Sequence, residues 1–191
     1  YIPKKVKYWP TVRKCPKVKI TASSANPYLK VINNDIYSKN GKVLYSVAST
    51  KTKYKVKKSV KEIEDGAFYK NDSIKSIYLP DSIKEIGEEA FGDMENLQSI
   101  RFSRSISELD YAMFNKCKKL KTVKLPKRIQ TIRGNFGGKK NCYLKKIYIN
   151  AVNLKKSNLK SLPKKCKVYV KSKNVKNQVK KAGFKGKVII R

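Results

Sequence analysis

The chain has 191 residues, enough for one sizeable domain, and its 47 Lys and Arg against 13 Asp and Glu give a formal net charge of +34. It contains no His, which excludes His-based acid–base catalysis and the commonest metal ligand. No apolar run approaches the ~18 residues that a membrane-spanning helix needs, and the first residues do not form a signal peptide.

The charge is distributed unevenly along the chain. It is +12 over residues 1–55, −4 over residues 56–100 and +26 over residues 101–191. The excess of Lys over Arg has two explanations, which the sequence leaves open. One is an electrostatic surface for anionic partners, and the other is an AT-rich genome, which would also account for the abundant Asn, Ile and Tyr.

The first 55 residues contain two predicted elements. Residues 1–25, which include Cys15, are interpreted as an eroded first copy of the repeat described below. Because this copy starts in the middle of a repeat, we expect further repeats or another domain before residue 1. Residues 26–55 are predicted to form a hairpin. Its strongest signal is Asn40-Gly41 between two short apolar runs, the pair that a two-residue hairpin turn favours.

Residues 56–170 repeat with a period of about 23. The period is visible in four apolar columns: Phe68, Phe91 and Phe114; Ile63, Ile86, Leu109 and Ile132; Ile77, Ile100 and Val123; Leu79, Phe102 and Leu125. The register slips by one residue near Gly134 and Gly137-Gly138. One coil cannot bury its own apolar face, so we expect coils stacked at the ~4.8 Å strand spacing around a continuous core.

Residues 171–191 predict a cap for the last coil. Val175 and Val179 lie four apart, as on one face of a short helix, and Gly183 suits the C-terminal end of that helix. Residues 187–190 then form a closing strand.

The repeat pattern resembles that of BspA-like (Treponema-type) leucine-rich repeats. The best single copy is residues 74–91, which include Leu79-Pro80 and Ala90-Phe91, and the resemblance is strongest over about residues 56–149. It implies an α/β-type solenoid in a single domain: a right-handed superhelix of about six coils of short parallel strands, with an inserted β-hairpin and a small helix–strand cap. It also implies a secreted or cell-surface protein that adheres to host proteins or cells.

Strand alternation predicts which residues point outward. Ser76 and Tyr78 point away from the core, and the period extends them into two columns on the expected concave face. The columns are Tyr78, Arg101, Lys124, Tyr148 and Tyr169, and Ser76, Ser99, Thr122, Lys146 and Lys167. From them we predict the ligand-binding residues Tyr78, Arg101, Lys124, Lys146, Tyr148, Lys167 and Tyr169.

Tyr and Arg are enriched in binding hot spots, which favours a binding role for these columns, whereas the preference of Tyr and Thr for strand surfaces explains them without one. The part of the face around Ser76 lacks cations, so we expect an anionic partner to dock on the C-terminal half.

Two further columns have alternative interpretations. Glu62, Glu85 and Glu108, with Thr131 next in line, form an acidic column that is either a solvated face or a cation site, and we favour the solvated face. Cys117 and Cys142 lie one coil apart. A disulfide between them is geometrically allowed, but buried Cys commonly behaves as a small hydrophobe, so we expect free thiols.

No nucleophile–base pair, phosphate loop or metal motif occurs, so we expect neither enzymatic activity nor a cofactor. The leading hypothesis is a monomeric extracellular or cell-surface binding module that adheres to host proteins or acidic glycans. The alternative is an electrostatic binder of acidic glycans, teichoic acid or nucleic acid through the Lys-rich surface, with nucleic acid less favoured.

Overall fold

The computed structural model describes residues 1–8, 19–134, 136 and 142–191, so Cys15 and the Gly137-Gly138 turn lie outside the described residues. Short strands follow one another in coils, and helix α1 (Lys173–Lys181) precedes the last strand. The strands are β1 (Leu29–Ile32), β2 (Asp35–Ser38), β3 (Val43–Ser46), β4 (Lys53–Lys55), β5 (Glu62–Ile63), β6 (Ser76–Tyr78), β7 (Glu85–Ile86), β8 (Ser99–Arg101), β9 (Glu108–Leu109), β10 (Thr122–Leu125), β11 (Thr131–Ile132), β12 (Lys146–Ile149), β13 (Lys167–Val170) and β14 (Val188–Ile190).

The predicted hairpin is confirmed, and it forms part of a three-stranded antiparallel meander. Strand β2 pairs with β1 on one side and with β3 on the other. The first turn places Asn33 and Asn34 at φ of 52° and 67°, and the second places Gly41 at φ of 73°. Such left-handed backbone favours Asn and Gly, which is why these residues occupy the turns.

The first strands of the coils form two parallel sheets that lie side by side. Strands β4, β6 and β8 pair in that order, β10, β12, β13 and β14 form the continuation, and β8 lies next to β10. Ser76 pairs with Ser99, 23 residues on, whereas Thr122 pairs with Lys146, 24 residues on. The predicted slip of one residue between these coils is therefore confirmed.

The second strand of each coil forms another wall of the solenoid. Strand β3 of the meander pairs in parallel with β5, β5 pairs with β7, and β9 pairs with β11. The hairpin is thus continuous with the coils, because its last strand starts this second sheet.

The turns on either side of the repeated phenylalanine recur as closely as the strands. Non-glycine residues with left-handed backbone recur one coil apart at Glu89 and Ala112, with φ of 48° at both, and at Asp93 and Lys116, with φ of 54° and 52°. Gly66 occupies the first of these positions in the preceding coil, at φ of 60°. Backbone hydrogen bonds link successive coils here, as in the bond from the Glu89 N–H to the Tyr111 carbonyl of 2.9 Å.

The phenylalanine column lies in the core, as predicted. Phe68, Phe91, Phe114 and Phe136 are buried, and successive ring centroids are 5.3, 5.9 and 6.2 Å apart. Ile74, Ile77 and Leu79 also point inward and are buried. One apolar cluster therefore runs from the meander to the cap.

The described cysteines are free and buried. Cys117, Cys142 and Cys166 form no disulfide, as expected for the first two. The Cys117 Sγ donates a hydrogen bond of 3.0 Å to the Phe91 carbonyl. Burial raises the pKa of Cys117 to about 12 and that of Cys142 to about 11, so these thiols are poor nucleophiles.

The cap has the predicted helix and strand. The Ser172 hydroxyl accepts a hydrogen bond of 3.2 Å from the Val175 N–H at the start of α1. Val175 and Val179 are buried, and Gly183 ends the helix at φ of 89°. Strand β14 then pairs with β13. The expected solenoid of short parallel strands, with an inserted hairpin and a helix–strand cap, is confirmed.

Candidate binding face

The outward side of β4, β6, β8, β10, β12 and β13 forms one surface, which we call the ladder face. Register pairs Tyr78 with Arg101, and it aligns Lys124, Tyr148 and Tyr169 on three adjacent strands. All seven predicted ligand-binding residues lie on this face. Arg101, Lys124, Lys146 and Lys167 are exposed, and Tyr78, Tyr148 and Tyr169 are half-buried.

The N-terminal part of the ladder face differs from the expectation. The prediction that it lacks cations is wrong, because β4 pairs with β6 and places Lys53 opposite Ser76 and Lys55 opposite Tyr78. Residues 53–55 fall within the range assigned to the hairpin, but they continue the sheet of the repeats. Cations therefore lie at both ends of the ladder face.

Tyr78 is the centre of the N-terminal part. The Lys55 Nζ lies 5.2 Å and the Arg101 Cζ 4.5 Å from the centroid of its ring. Both distances are within the ~6 Å range of cation–π attraction. A shallow hollow of about 350 Å3 beside this cluster is lined by residues of β4, β6 and β8, among them Tyr54 and Ser99.

Tyr148 is the centre of the C-terminal part. Its ring stacks on that of Tyr169, with centroids 4.7 Å apart and planes at 15°. The Lys124 Nζ lies 5.8 Å and the Arg191 Cζ 4.6 Å from the centroid of the Tyr148 ring. Sequence reasoning missed Arg191, which follows β14 and reaches Tyr148 across β13, where it also donates a 2.8 Å hydrogen bond to the Asn150 side chain.

The strands of the ladder face carry cations but no acids, and Asp81, which the charge of Arg101 reaches, forms its ion pair with Arg104. No Asp or Glu occurs in the six strands that form it. The four ion pairs among the described residues use Arg104, Lys116, Lys118 and Arg133, none of which lies in those strands. The cations of the ladder face are thus available to an external anion.

The acidic column lies on a different surface of the same coils, the outward side of β5, β7, β9 and β11, which we call the acid face. Glu62 pairs with Glu85, and Glu108 pairs with Thr131. Arg133 donates hydrogen bonds of 2.8 and 2.6 Å to Glu108 and so neutralises part of the column.

The acid face borders an open groove of about 670 Å3. Partial burial, followed by the charges of Glu64, Glu85 and Asp65, raises the pKa of Glu62. Among the residues that the structure describes, no group of three or more His, Cys, Asp or Glu is arranged to hold a metal ion.

A buried polar cluster anchors the first strand of the ladder face, and sequence reasoning missed it. The Tyr54 hydroxyl donates a 2.5 Å hydrogen bond to Asp35, whose other carboxylate oxygen accepts one of 3.1 Å from the Ala48 N–H. The Tyr37 and Tyr54 hydroxyl oxygens are 3.3 Å apart. Burial raises the pKa of Asp35 to about 6. The available signal was that Asp35 is the one acid in residues 1–55.

Within the described ranges, no helix has the length and apolar character that crossing a membrane requires.

Comparison with known families gives one match. The family model described as the BspA type leucine-rich repeat region matches residues 29–167 in six copies. That range includes the meander, the ladder face as far as the start of β13, and the acid face. None of the curated proteins matches the chain significantly.

Solved structures with the same fold come from several bacteria. A leucine-rich cell-surface protein of Faecalibacterium prausnitzii is 25% identical, with a TM-score of 0.76 over 93% of this chain and 49% of that one. The pneumococcal vaccine antigen PcpA is 22% identical, with a TM-score of 0.66 over 89% of this chain and 49% of that one. A leucine-rich repeat protein of Eubacterium ventriosum is 20% identical, with a TM-score of 0.64 over 100% of this chain and 58% of that one. The chain therefore spans about half the length of these proteins.

Proposed function

The chain belongs to the BspA-type leucine-rich repeat family, and we propose that it is a non-enzymatic, monomeric binding module of a bacterial cell surface or the extracellular space. In this proposal it adheres to a host protein or glycan through the ladder face. The family and the likeness to the cell-surface protein of F. prausnitzii support the location.

The observation that carries the binding role is the pairing of exposed cations with half-buried tyrosines on adjacent strands. Lys55, Tyr78 and Arg101 form one such group, and Lys124, Tyr148 and Tyr169 form another. Tyr and Arg dominate binding hot spots because each contributes a large contact area and directional hydrogen bonds. If these strands served only to build the solenoid, acids would be tolerated on them. The absence of Asp and Glu from the six strands therefore favours a role in binding anions.

The test compares two triple variants with equal loss of charge. The ladder variant carries Lys55→Gln, Arg101→Gln and Lys124→Gln, and the turn variant carries Lys155→Gln, Lys156→Gln and Lys164→Gln, at exposed positions outside the ladder strands. Adhesion of protein-coated beads to the decellularised matrix of cultured epithelial cells is measured at physiological salt. We expect the ladder variant to lose most adhesion and the turn variant to keep it. Normal adhesion by the ladder variant would contradict the proposal.

A second candidate function is electrostatic binding of anionic polymers, such as teichoic acid or nucleic acid, by the whole Lys-rich surface. The formal charge of +34 favours it. For such binding, the logarithm of the binding constant falls linearly with the logarithm of the salt concentration, with a slope set by the number of charges engaged. Under this alternative the turn and ladder variants lose adhesion equally, which separates it from the first proposal.

A further inference from the structure

Two tyrosines of the ladder face, Tyr78 and Tyr148, have their ring faces covered by neighbouring side chains. Because β4 and β8 flank β6 on opposite sides, Lys55 and Arg101 approach the Tyr78 ring from opposite sides. The Tyr148 ring lies between Lys124 on β10 and Tyr169 on β13 in the same way. Each ring therefore positions the neighbouring cations, and what it presents outward is its edge and its hydroxyl group.

The ladder face presents cations along its whole length, in two adjacent columns. Five of its six strands carry an outward cation, the exception being β6. With strands ~4.8 Å apart, the row extends for about 24 Å along the stack. Between the cations lie hydroxyl groups, contributed by Ser76, Ser99 and Thr122. The surface therefore matches a linear ligand that carries anions and many hydroxyl groups.

We propose that the ladder face binds a linear acidic polysaccharide, one with carboxylate or sulfate groups along its chain, lying parallel to the axis of the solenoid. This inference rests on the proposed function and names the class of its ligand. The cations pair with the anionic groups, while the Ser and Thr hydroxyl groups exchange hydrogen bonds with the sugar hydroxyls.

Two other classes of polyanion fit this surface less well. Single-stranded nucleic acid is held by stacking its bases on open aromatic faces, and the rings of Tyr78 and Tyr148 are covered. A protein partner concentrates its binding energy in a few side chains that fill well-packed pockets, and the hollow at Tyr78 is shallow. The experiment therefore includes one probe of each of these two classes.

The experiment measures binding of soluble polymers by calorimetry at physiological salt. The probes are polygalacturonate and dextran sulfate, with neutral dextran, single-stranded poly(dT) and poly-L-glutamate as comparisons at matched charge or mass. We expect the two acidic polysaccharides to bind most tightly. The ladder variant should weaken them about tenfold, with a smaller salt slope, and the turn variant by less than about twofold. Tighter binding of poly(dT) or polyglutamate would overturn the inference.

A pair of substitutions tests whether Tyr78 acts by positioning the cations. Tyr78→Phe keeps the ring between Lys55 and Arg101, whereas Tyr78→Leu fills similar space without a ring. We expect Tyr78→Leu to weaken polygalacturonate binding several-fold at an unchanged melting temperature, and Tyr78→Phe to stay within about twofold of the original chain. Equal binding by the two variants would contradict this role.

The two proposals fail in distinguishable ways. If the ladder variant loses adhesion to matrix but binds polygalacturonate normally, the adhesive ladder face stands and the polysaccharide ligand is wrong. If neither activity depends on the ladder residues, both proposals are wrong. The melting temperature of each variant is measured alongside, so that loss of folding is not mistaken for loss of contacts.

Discussion

The ladder face and the acid face belong to the same coils, yet their outward columns have opposite charge. On the ladder face, Lys55, Arg101 and Lys124 follow one another on strands that carry no acid, while Glu62, Glu85 and Glu108 follow one another on the acid face. The two faces enclose one core of Phe, Ile and Leu. A repeat can therefore hold its inward residues constant for stability and vary two outward positions to set the chemistry of each surface.

The charged columns also differ in how they are compensated. Cation–π contacts order the cations of the ladder face at 4.5–5.8 Å from tyrosine rings. The acid face has Arg133 on Glu108 and a half-buried Glu62 whose pKa is raised. The first arrangement leaves charge available to a ligand, and the second neutralises part of it within the protein.

The largest expected effect concerns the core that the two faces share. Phe91→Ala removes a fully buried ring between Phe68 and Phe114 and should lower the free energy of unfolding by ~3–5 kcal/mol. Chemical denaturation measures it. Val152→Ala truncates a side chain that is 76% exposed and should change stability by less than about 0.5 kcal/mol. If the two variants unfold alike, the faces do not share this core.

The next effect concerns the strand that adds Lys53 and Lys55 to the ladder face. The pKa of Asp35 rises from 3.8 to about 6 on folding, so the folded chain holds this proton more tightly. The resulting stability is present in full below pH 3.8, is lost as pH rises through about 6, and amounts to about 3 kcal/mol. The measurement is urea unfolding at pH 4 and pH 7.

Asp35→Asn is the matched control, because it removes the titrating group and keeps similar volume. General charge repulsion at low pH affects both chains, so it cancels in their difference. The stability of Asp35→Asn relative to the original chain should rise between pH 4 and pH 7. A difference that does not change with pH would mean that Asp35 is not buried against Tyr54 in solution.

A smaller effect lies in the turns that join the two faces. Ala112 has a φ of 48°, a backbone conformation that costs an L residue about 1–2 kcal/mol. Gly avoids this cost, but part of the gain is offset because Gly loses more conformational freedom on folding. Ala112→Gly should therefore stabilise the protein by about 0.5–1 kcal/mol. Ala90→Gly, at a buried position without positive φ, should destabilise it. Thermal unfolding of the pair checks the sign, and destabilisation by both would remove the argument for strain.

The smallest effect tests repulsion within the acid face. Glu85 lies opposite Glu62, and like charges in that position destabilise a sheet, so Glu85→Gln should add a few tenths of a kcal/mol. The gain should shrink at 1 M salt, where the screening length is only about 3 Å. Glu88→Gln, outside the column, should show no gain. An equal response from both variants would indicate general charge rather than the column.

The sequence by itself determined the repeat, the inward columns, the hairpin turn and the cap. These follow from local rules: alternation along a strand, the four-residue spacing of Val175 and Val179, and the preference of turns for Asn and Gly. The outward columns of the ladder face were predictable for the same reason, since Tyr78, Arg101 and Lys124 follow from the period. The binding role of those residues stays a prediction.

Only the tertiary structure decided the environment of each outward residue. Lys55 joins the ladder face because β4 pairs with β6, and Arg191 reaches Tyr148 because β14 closes the cap beside β13. Asp35 meets Tyr54 across 19 residues of chain. Such contacts depend on where the coils bring distant segments together. The period of the repeat in the sequence holds no information about partners that lie outside the repeat.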